Sequence, residues 1–458
     1  LQVDAPGQNV FVRGLEGSGR LTLLRRVLEE TRLSCPASPD RCAVRNFEEP
    51  DRPLLIEMTR GTGRKFRLAV EDLVNFIVED LGPALAGEAL RERRDAMQSA
   101  YDATLKGVVE PFEQKLDALG LALVTISAGQ TQHPAIVPKI DGQPIMPEAF
   151  DAAVAEGTIA EEARDQIIAL IADTRPELDQ ITLEVERMQH EHQTRMRQFV
   201  QSEARALLAG RAARILAEFE SDVTRDFLDG LIEDYVERRL GREQYGAKEL
   251  HLLYAVNVIV AHRADTGCPV VAETAPTLQN LLGGVEADPG GESGLRADHT
   301  RIRAGSLLRA NGGFLLIEAR DILPEPGAWQ VLMRTLRTGM VEMVPPEISG
   351  NIPIAIKPVP APVRVKVILI GDPGMYYALE AMDQDFAQQF KVLVDFEPTI
   401  PIEAGAVDMY AGVLAKIVRA AQLPPIHNSG VAVLAEYGAR IAARNDELSA
   451  RFGPVSYT

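Results

Sequence analysis

No proline stands between Pro176 and Arg239, and within that span Leu178, Ile181, Val185, Met188, His192, Met196 and Phe199 recur at three- and four-residue steps. Such a stripe belongs to a helix that lays one face on a partner. At 1.5 Å per residue the run reaches roughly 90 Å. That is too long to be buried along one globular domain, so an arm that projects is expected. A matching stripe upstream (Met97, Tyr101, Thr104/Leu105, Val108, Phe112, Leu116, Leu119) supplies the partner. Two antiparallel helices pairing these stripes make a hairpin. Gly107 and Pro111 in the first arm, and Gly210 and Gly230 in the second, are places to bend or fray.

Between the arms the texture changes. Residues 121–127 and 134–140 read as short strands, and Asp141-Gly142 as a tight turn. Pro147-Glu148 opens a helix, and a second short helix around 159–172 is closed by Pro176. The plain expectation is a compact cap on the hairpin. A sharper one is an adhesive end for unfolded chains, with Ile126, Ile136, Val137, Ile145, Met146 and Phe150 as its apolar contacts.

The flanks of this stretch belong to a different fold. Asn9-Val10-Phe11-Val12-Arg13 is a β-rich run leading into Gly14-Leu15-Glu16-Gly17-Ser18-Gly19-Arg20-Leu21-Thr22 and then an amphipathic helix. Strand, glycine loop and helix form the setting of a phosphate-binding loop. Its chemistry needs backbone N–H groups to cradle phosphate, a Lys to reach the outer phosphates, and a Ser or Thr hydroxyl on magnesium. Gly14 and Gly19 keep the spacing, but Arg20 replaces the Lys and Leu21 has no oxygen for a metal. Thr22 comes one residue late and points elsewhere on the helix. Downstream, residues 41–47 and 54–58 read as strands, with Gly61-Thr62-Gly63 turning a hairpin into 64–68 and a helix starting at 70.

Beyond the insertion, 256–260 and 269–272 are strand-like, and 303–310 reads as a short helix. The buried apolar run Phe314-Leu315-Leu316-Ile317 then ends in Glu318-Ala319. An ATPase of this design would carry two acids there, for magnesium and for water. The strand at 363–370 ends in Gly371-Asp372, where an Asn or Thr would sense the γ-phosphate. No Arg occurs between Arg364 and Arg419, where a finger for a neighbour would sit. Five damaged elements in separate segments point to a fold retained for its architecture, with no cofactor, no metal and no ATPase activity.

Composition narrows the partners. A net charge of −18 argues against nucleic acid. There is no run of 18 apolar residues and no secretory pattern, so no membrane and a cytoplasmic location are expected. Cys35, Cys42 and Cys268 show no metal spacing and read as reduced, buried thiols. Leu1 in place of Met suggests that the start is missing.

The order of motifs resembles a known group. Asn280-Leu281-Leu282-Gly283, the block Ala304-Gly305-Ser306-Leu307-Leu308-Arg309-Ala310-Asn311-Gly312-Gly313-Phe314-Leu315, and Leu448-Ser449-Ala450-Arg451-Phe452-Gly453 are similar to the AAA-type module of Lon-like proteases. The helical insertion and the lost nucleotide motifs look most like the C subclass, LonC. The resemblance implies an α/β fold: a degenerate AAA-like subdomain at 1–80 and 244–398, a helical hairpin (coiled-coil) insertion at 81–243, and the start of a helical lid at 399–458. It further implies a serine endopeptidase parent whose Ser–Lys dyad lies beyond Thr458, a homo-hexameric ring, and unfolded or damaged proteins as substrates. The protease domain of the parent chain would then be a partner. No catalytic residue is carried over. Two other readings stay open: a live AAA ATPase with atypical motifs, and a structural coiled-coil spacer. His192, Met97, Tyr101, Met188, Met196 and Phe199 read as hairpin packing. Arg91, Arg93, Arg94, Arg205, Arg211 and Arg214 read as solvated faces, and Arg20 as an occasional anion contact.

Overall fold

A computed structural model of the chain describes residues 7–15, 19–30, 38–128, 131–140, 142–156, 159–242, 245–263, 267–286, 298–343, 356–403, 405–420, 422–444 and 446–451. The chain divides into two compact units. An α/β unit comprises Leu1–Asn75, Arg211–Asp234 and Arg242–Thr458; a helical unit comprises Phe76–Gly210 and Tyr235–Gly241.

The α/β unit is built on five parallel strands: β1 (Val10–Arg13), β2 (Val270–Glu273), β3 (Phe314–Glu318), β4 (Lys366–Gly371) and β5 (Val392–Asp395). Their order across the sheet is β5-β1-β4-β3-β2. The register places Arg13 beside Gly371 and Asp395, and Glu318 beside Ile370. A parallel sheet is covered on both faces, which is why its strands are continuous apolar runs. Alternate side chains feed opposite cores. Phe11, Leu315, Ile317, Val367 and Leu369 face one, with Leu332, Phe386 and Phe390. Val10, Val12, Phe314, Leu316, Ile368 and Ile370 face the other, with Leu28 of helix α1 (Arg20–Glu30). Strands β1, β3 and β4 fall on the runs expected from sequence. Strand β5 carries the apolar run Val392-Leu393-Val394, yet three of its four residues are exposed, and it is not among the runs expected from sequence.

A second, antiparallel sheet joins Leu54–Met58, Asp40–Val44 and Asn257–Val260. The hairpin expected around Gly61-Thr62-Gly63 does not form. Residues 64–68 instead belong to a helix, Gly63–Asn75, whose Phe66, Val70, Leu73 and Val74 are buried at helical spacing. Asp40 fixes its start, since Oδ2 accepts from Gly63 N at 2.9 Å. The short helix expected at 303–310 is split into a strand, Ile302–Ala304, and a turn of helix, Ser306–Arg309. Toward the C-terminal end, helices Ala406–Ala420 and Asn428–Ala442 share a small core of Tyr410, Leu414 and Leu448.

Two long helices dominate the helical unit: α2 (Glu88–Ala118, 31 residues) and α3 (Glu161–Glu218, 58 residues). Their contacts pair in antiparallel order. Arg93 bonds Glu203 at 2.6 Å, His192 Nε2 lies 3.0 Å from Gln98 Oε1, and Lys115 pairs with Glu177. Between them, Leu121–Ala128, Thr131–Ile140 and Gln143–Pro144 form a three-stranded antiparallel sheet, followed by the helix Pro147–Ala155. Leu116, Leu121, Phe112 and Leu178 form the core there. Pro176 does not separate two helices as expected; α3 runs through it. Just before it, Thr174 Oγ1 donates to the carbonyl of Leu170 at 2.9 Å, whereas the carbonyl that Pro176 deprives of its helical donor is that of Ala172.

The second arm also ends earlier than its sequence suggests. Ser221 Oγ accepts from Thr224 N at 3.0 Å and so caps a new helix, α4 (Asp222–Arg238). Residues 211–234 are part of the α/β unit. Phe219 meets Phe66 with ring centroids 5.5 Å apart, Phe227 stacks on Phe47 at 6.0 Å, and Tyr254 OH donates to Asp234 at 2.9 Å. A Cβ on Gly230 would lie 2.7 Å from the Phe47 ring. That glycine admits a neighbour's ring and is not a place to bend.

Candidate functional site

The glycine loop leaves the C-terminal end of β1. Gly14 N donates to Gly371 O at 3.1 Å, tying the loop to the end of β4. Gly19 has φ +68°, a backbone state that favours glycine, and it leads directly into α1. Gly14 and Gly19 thus flank residues 16–18, which lie outside the described residues. Arg20 is 6% exposed, and its Nη1 donates to both Gly14 O and Gly371 O at 2.6 Å. A phosphate-reaching cation would turn its donors toward anionic oxygen; this one turns Nη1 to two carbonyls. Leu21 packs, partly buried, against the core that holds Val10, Val12 and Ile368. The position that would carry a magnesium-holding hydroxyl is occupied by a packing residue.

The acidic strand end behaves likewise. Glu318 closes β3 partly buried, while Ala319 is fully buried in the opposite core. Gly371 could not bear a sensing side chain as placed, because a Cβ there would come within 2.7 Å of Phe11 Cζ and 3.3 Å of Ala319 Cβ. Asp372 caps the following helix, Pro373–Met382, by accepting from Met375 N at 2.9 Å.

One polar group at this edge escaped the sequence reading. Arg13 bonds Asp395 through two nitrogens, at 2.5 and 2.9 Å, and Tyr377 OH at 3.1 Å. The Arg13 guanidinium holds the Asp395 carboxyl below its ordinary range. Their parallel register brings them side by side, and no sequence spacing announces a pair 382 residues apart.

The six apolar residues expected to form an adhesive end are placed differently from one another. Val137 and Phe150 are buried, at 1% and 6% exposure, because the small sheet and its helix close on themselves. Ile126, Ile136 and Ile145 are half-buried, with Ile136 packed on the core around Leu116. Met146 is exposed at 45%. Two of the set are thus buried, three half-buried and one exposed. The stripe between the arms is half-buried along its middle. Met97, Tyr101, Val108, Met188 and His192 are all half-buried and line a cleft of about 470 Å³ between α2 and α3. Tyr101 and His192 stack at 4.3 Å across it. Its charged neighbours are paired with each other, Arg187 with Glu184 at 2.6 Å and Arg195 with Glu191 at 3.3 Å.

The cysteines do not share one state. Cys42 is a free, buried thiol, raised to about 12 by burial and by the nearby Asp40. Cys268 is disulfide-bonded, which corrects the expectation of three reduced thiols; Cys35 lies outside the described residues. Among the described residues no helix is long and apolar enough to cross a membrane, and no cluster of His, Cys, Asp or Glu is arranged to hold a metal.

Comparison with known proteins agrees with this architecture. A family described as LonB-like, AAA domain matches residues 266–397, the stretch that carries four of the five parallel strands. A second, described as Lon-like LonC helical domain, matches residues 40–73, which here form two strands and the helix of the α/β unit. A Lon protease homolog of Escherichia coli (strain K12) is 27% identical over 101 residues, which is 22% of this chain and 17% of that protein. NtrX from Brucella abortus resembles 56% of this chain over 53% of its own, at 16% identity and a TM-score of 0.26. A complex of magnesium chelatase subunits BchI and BchD resembles 42% of this chain over 68% of its own, at 15% identity and a TM-score of 0.20. Likeness at that level adds nothing to the sheet order described above. The two family matches cover about a third of the chain and support a Lon-like protein with an AAA-type α/β segment.

Proposed function

We propose that this chain is the substrate-recognition and ring-forming part of an ATP-independent Lon-like protease of the LonC kind, a cytoplasmic protein whose helical unit holds unfolded proteins for degradation. The observation that carries the nucleotide-free part is Arg20. A cation whose Nη1 is bonded to two backbone carbonyls, beside a leucine where magnesium needs oxygen, would have to give up those bonds to meet a triphosphate. The resemblance to Lon-like proteases supports the rest: a protease domain in the same parent, a homo-hexamer, and unfolded chains as clients.

Without a motor, clients must arrive unfolded or be held so. Six pairs of long helices around a ring would act multivalently, so each contact can be weak. The contacts should be apolar, since exposed apolar segments distinguish unfolded chains from folded ones. The half-open cleft around Tyr101 and Met188 offers such a surface, beside the exposed Met146 and the half-buried Ile126, Ile136 and Ile145; Val137 of the small sheet and Phe150 of the helix after it are already buried. Methionine surfaces adapt to varied partners.

Two measurements test the reading. Magnesium-dependent ATP hydrolysis should be undetectable, and Arg20→Lys with Leu21→Thr should not create it, because Ala319 and Gly371 still lack their side chains. Hydrolysis abolished by Gly19→Pro would overturn the nucleotide-free reading. Tyr101→Ser with Met188→Ser should weaken suppression of aggregation of an unfolded client, and unchanged suppression would move recognition elsewhere or favour a spacer.

A further inference from the structure

We infer that Arg20 is a built-in substitute for a nucleotide: its guanidinium clasps the end of β1 to the end of β4 and holds this edge of the sheet closed with no ligand present. The inference rests on the nucleotide-free reading of the loop. In a working phosphate-binding loop, phosphate oxygens accept from the loop's N–H groups and tie strand end, loop and helix start together. A loop that merely lost its ligand would leave those parts joined by the sheet alone. Here they are joined by a side chain. Arg20 sits at the start of α1, yet it reaches Gly14 O just past β1 and Gly371 O at the end of β4, 351 residues away in sequence.

The surroundings are shaped to this clasp. Gly371 O accepts from Gly14 N as well as from Arg20, so one carbonyl gathers both bonds. A Cβ on Gly14 would meet Phe396 Cβ at 2.9 Å and Arg20 Cδ at 3.1 Å, so the arginine stem and Phe396 already fill that space. A Cβ on Gly371 would meet the Phe11 ring. Both acceptors are thus glycines for reasons of room, and the loss of the sensing side chain and the turn of Arg20 inward are one arrangement. Because the guanidinium is buried, its charge-assisted bonds are little diluted by water. A lysine is one bond shorter and presents a compact ammonium, so it would not span the same gap.

The test is hydrogen exchange on the full chain, read on a peptide covering residues 9–15, in the wild type and in Arg20→Met. Without the clasp, exchange there should quicken by about ten- to a hundredfold, while the strand Asn257–Val260 keeps its rate. Thermal unfolding should shift downward in parallel. Exchange within twofold of wild type would overturn the clasp. Should Arg20→Met fail to fold, Arg20→Lys keeps a cation in place and should still quicken exchange several-fold, on the same criterion. Magnesium-ATP should leave the wild-type rate unchanged. Protection by magnesium-ATP would overturn the nucleotide-free reading, while the clasp is decided by the Arg20 variants alone.

Discussion

The glycine-loop edge of the α/β unit and the middle of the long helices are both places where a sequence of this kind leads one to expect a partner, and they have met that expectation in opposite ways. At the loop, the space has been filled from within. Arg20 is buried on two carbonyls, Leu21 is packed, and Ala319 lies in the core. Between α2 and α3 the apolar stripe stays half-open over several turns, around a cleft of about 470 Å³. Filling a lost polar site removes unsatisfied donors and adds packing, both of which favour folding. Leaving Met97, Tyr101 and Met188 half-exposed forgoes burial that a closer pairing of the helices would gain. That forgone burial is the cost the proposed contact surface would carry.

The sharpest way to break that comparison is deletion. Removing residues 82–241 would strip Phe219, Phe227, Leu228 and Leu231 from the α/β core, so cooperative thermal unfolding should be lost. Removing only 82–210, closed by a short flexible linker, should leave a cooperatively unfolding α/β unit. If the larger deletion also unfolds cooperatively, residues 211–234 are not part of the core as described.

Single substitutions sharpen the same contrast at smaller scale. Phe227→Ala removes a 1%-exposed ring between Phe47 and Phe66 and should cost about 3–5 kcal/mol in chemical denaturation. Tyr101→Ala removes a half-buried ring stacked on His192 and should cost about 1 kcal/mol or less. Equal costs would mean that the arms are packed as tightly as the core.

Cys42 offers a quieter probe. Its thiol is held near 12, so at pH 8 it is protonated as well as buried, and iodoacetamide should label it only through opening of the second sheet. Labelling as fast as a free thiol would contradict its burial.

The smallest effect concerns the exposed edge. Asp395 has a depressed folded pKa, so its contribution to stability is present above its unfolded value, about 3.9, and is lost as pH falls through the folded one. Asp395→Asn should make the fall of the thermal midpoint on acidification slightly shallower. An unchanged slope would show that the Arg13 pair is fully screened by solvent.

Much of the architecture could be read from the chain. Phe314-Leu315-Leu316-Ile317 and Val367-Ile368-Leu369-Ile370 are apolar on consecutive residues, which only a two-sided buried strand requires, and both lie in the parallel sheet. Strand β5 was missed although Val392-Leu393-Val394 is apolar, because three apolar residues are too short a run to tell a strand from a loop or a helix turn. The helix Gly63–Asn75 was hidden by two nearby glycines that suggest a turn, although its Phe66, Val70, Leu73 and Val74 keep helical spacing. At the site, the missing lysine, hydroxyl, second acid and sensor are matters of residue identity, and identity is what a sequence lists.

The sequence by itself therefore determined which side chains stand at these positions: Leu21 has no oxygen for a metal and Ala319 has no carboxylate, wherever the chain places them. Only the tertiary structure decided how the neighbouring side chains are used. Arg20 bonds to backbone carbonyls, and a carbonyl is the same atom at every residue, so no side-chain pattern could point to Gly371. The same holds for the helical unit. The stripes on α2 and α3 show that two faces are apolar, but how closely two helices approach depends on the shapes of all the side chains between them. It is that distance which leaves Tyr101 and Met188 bordering a cleft instead of a core.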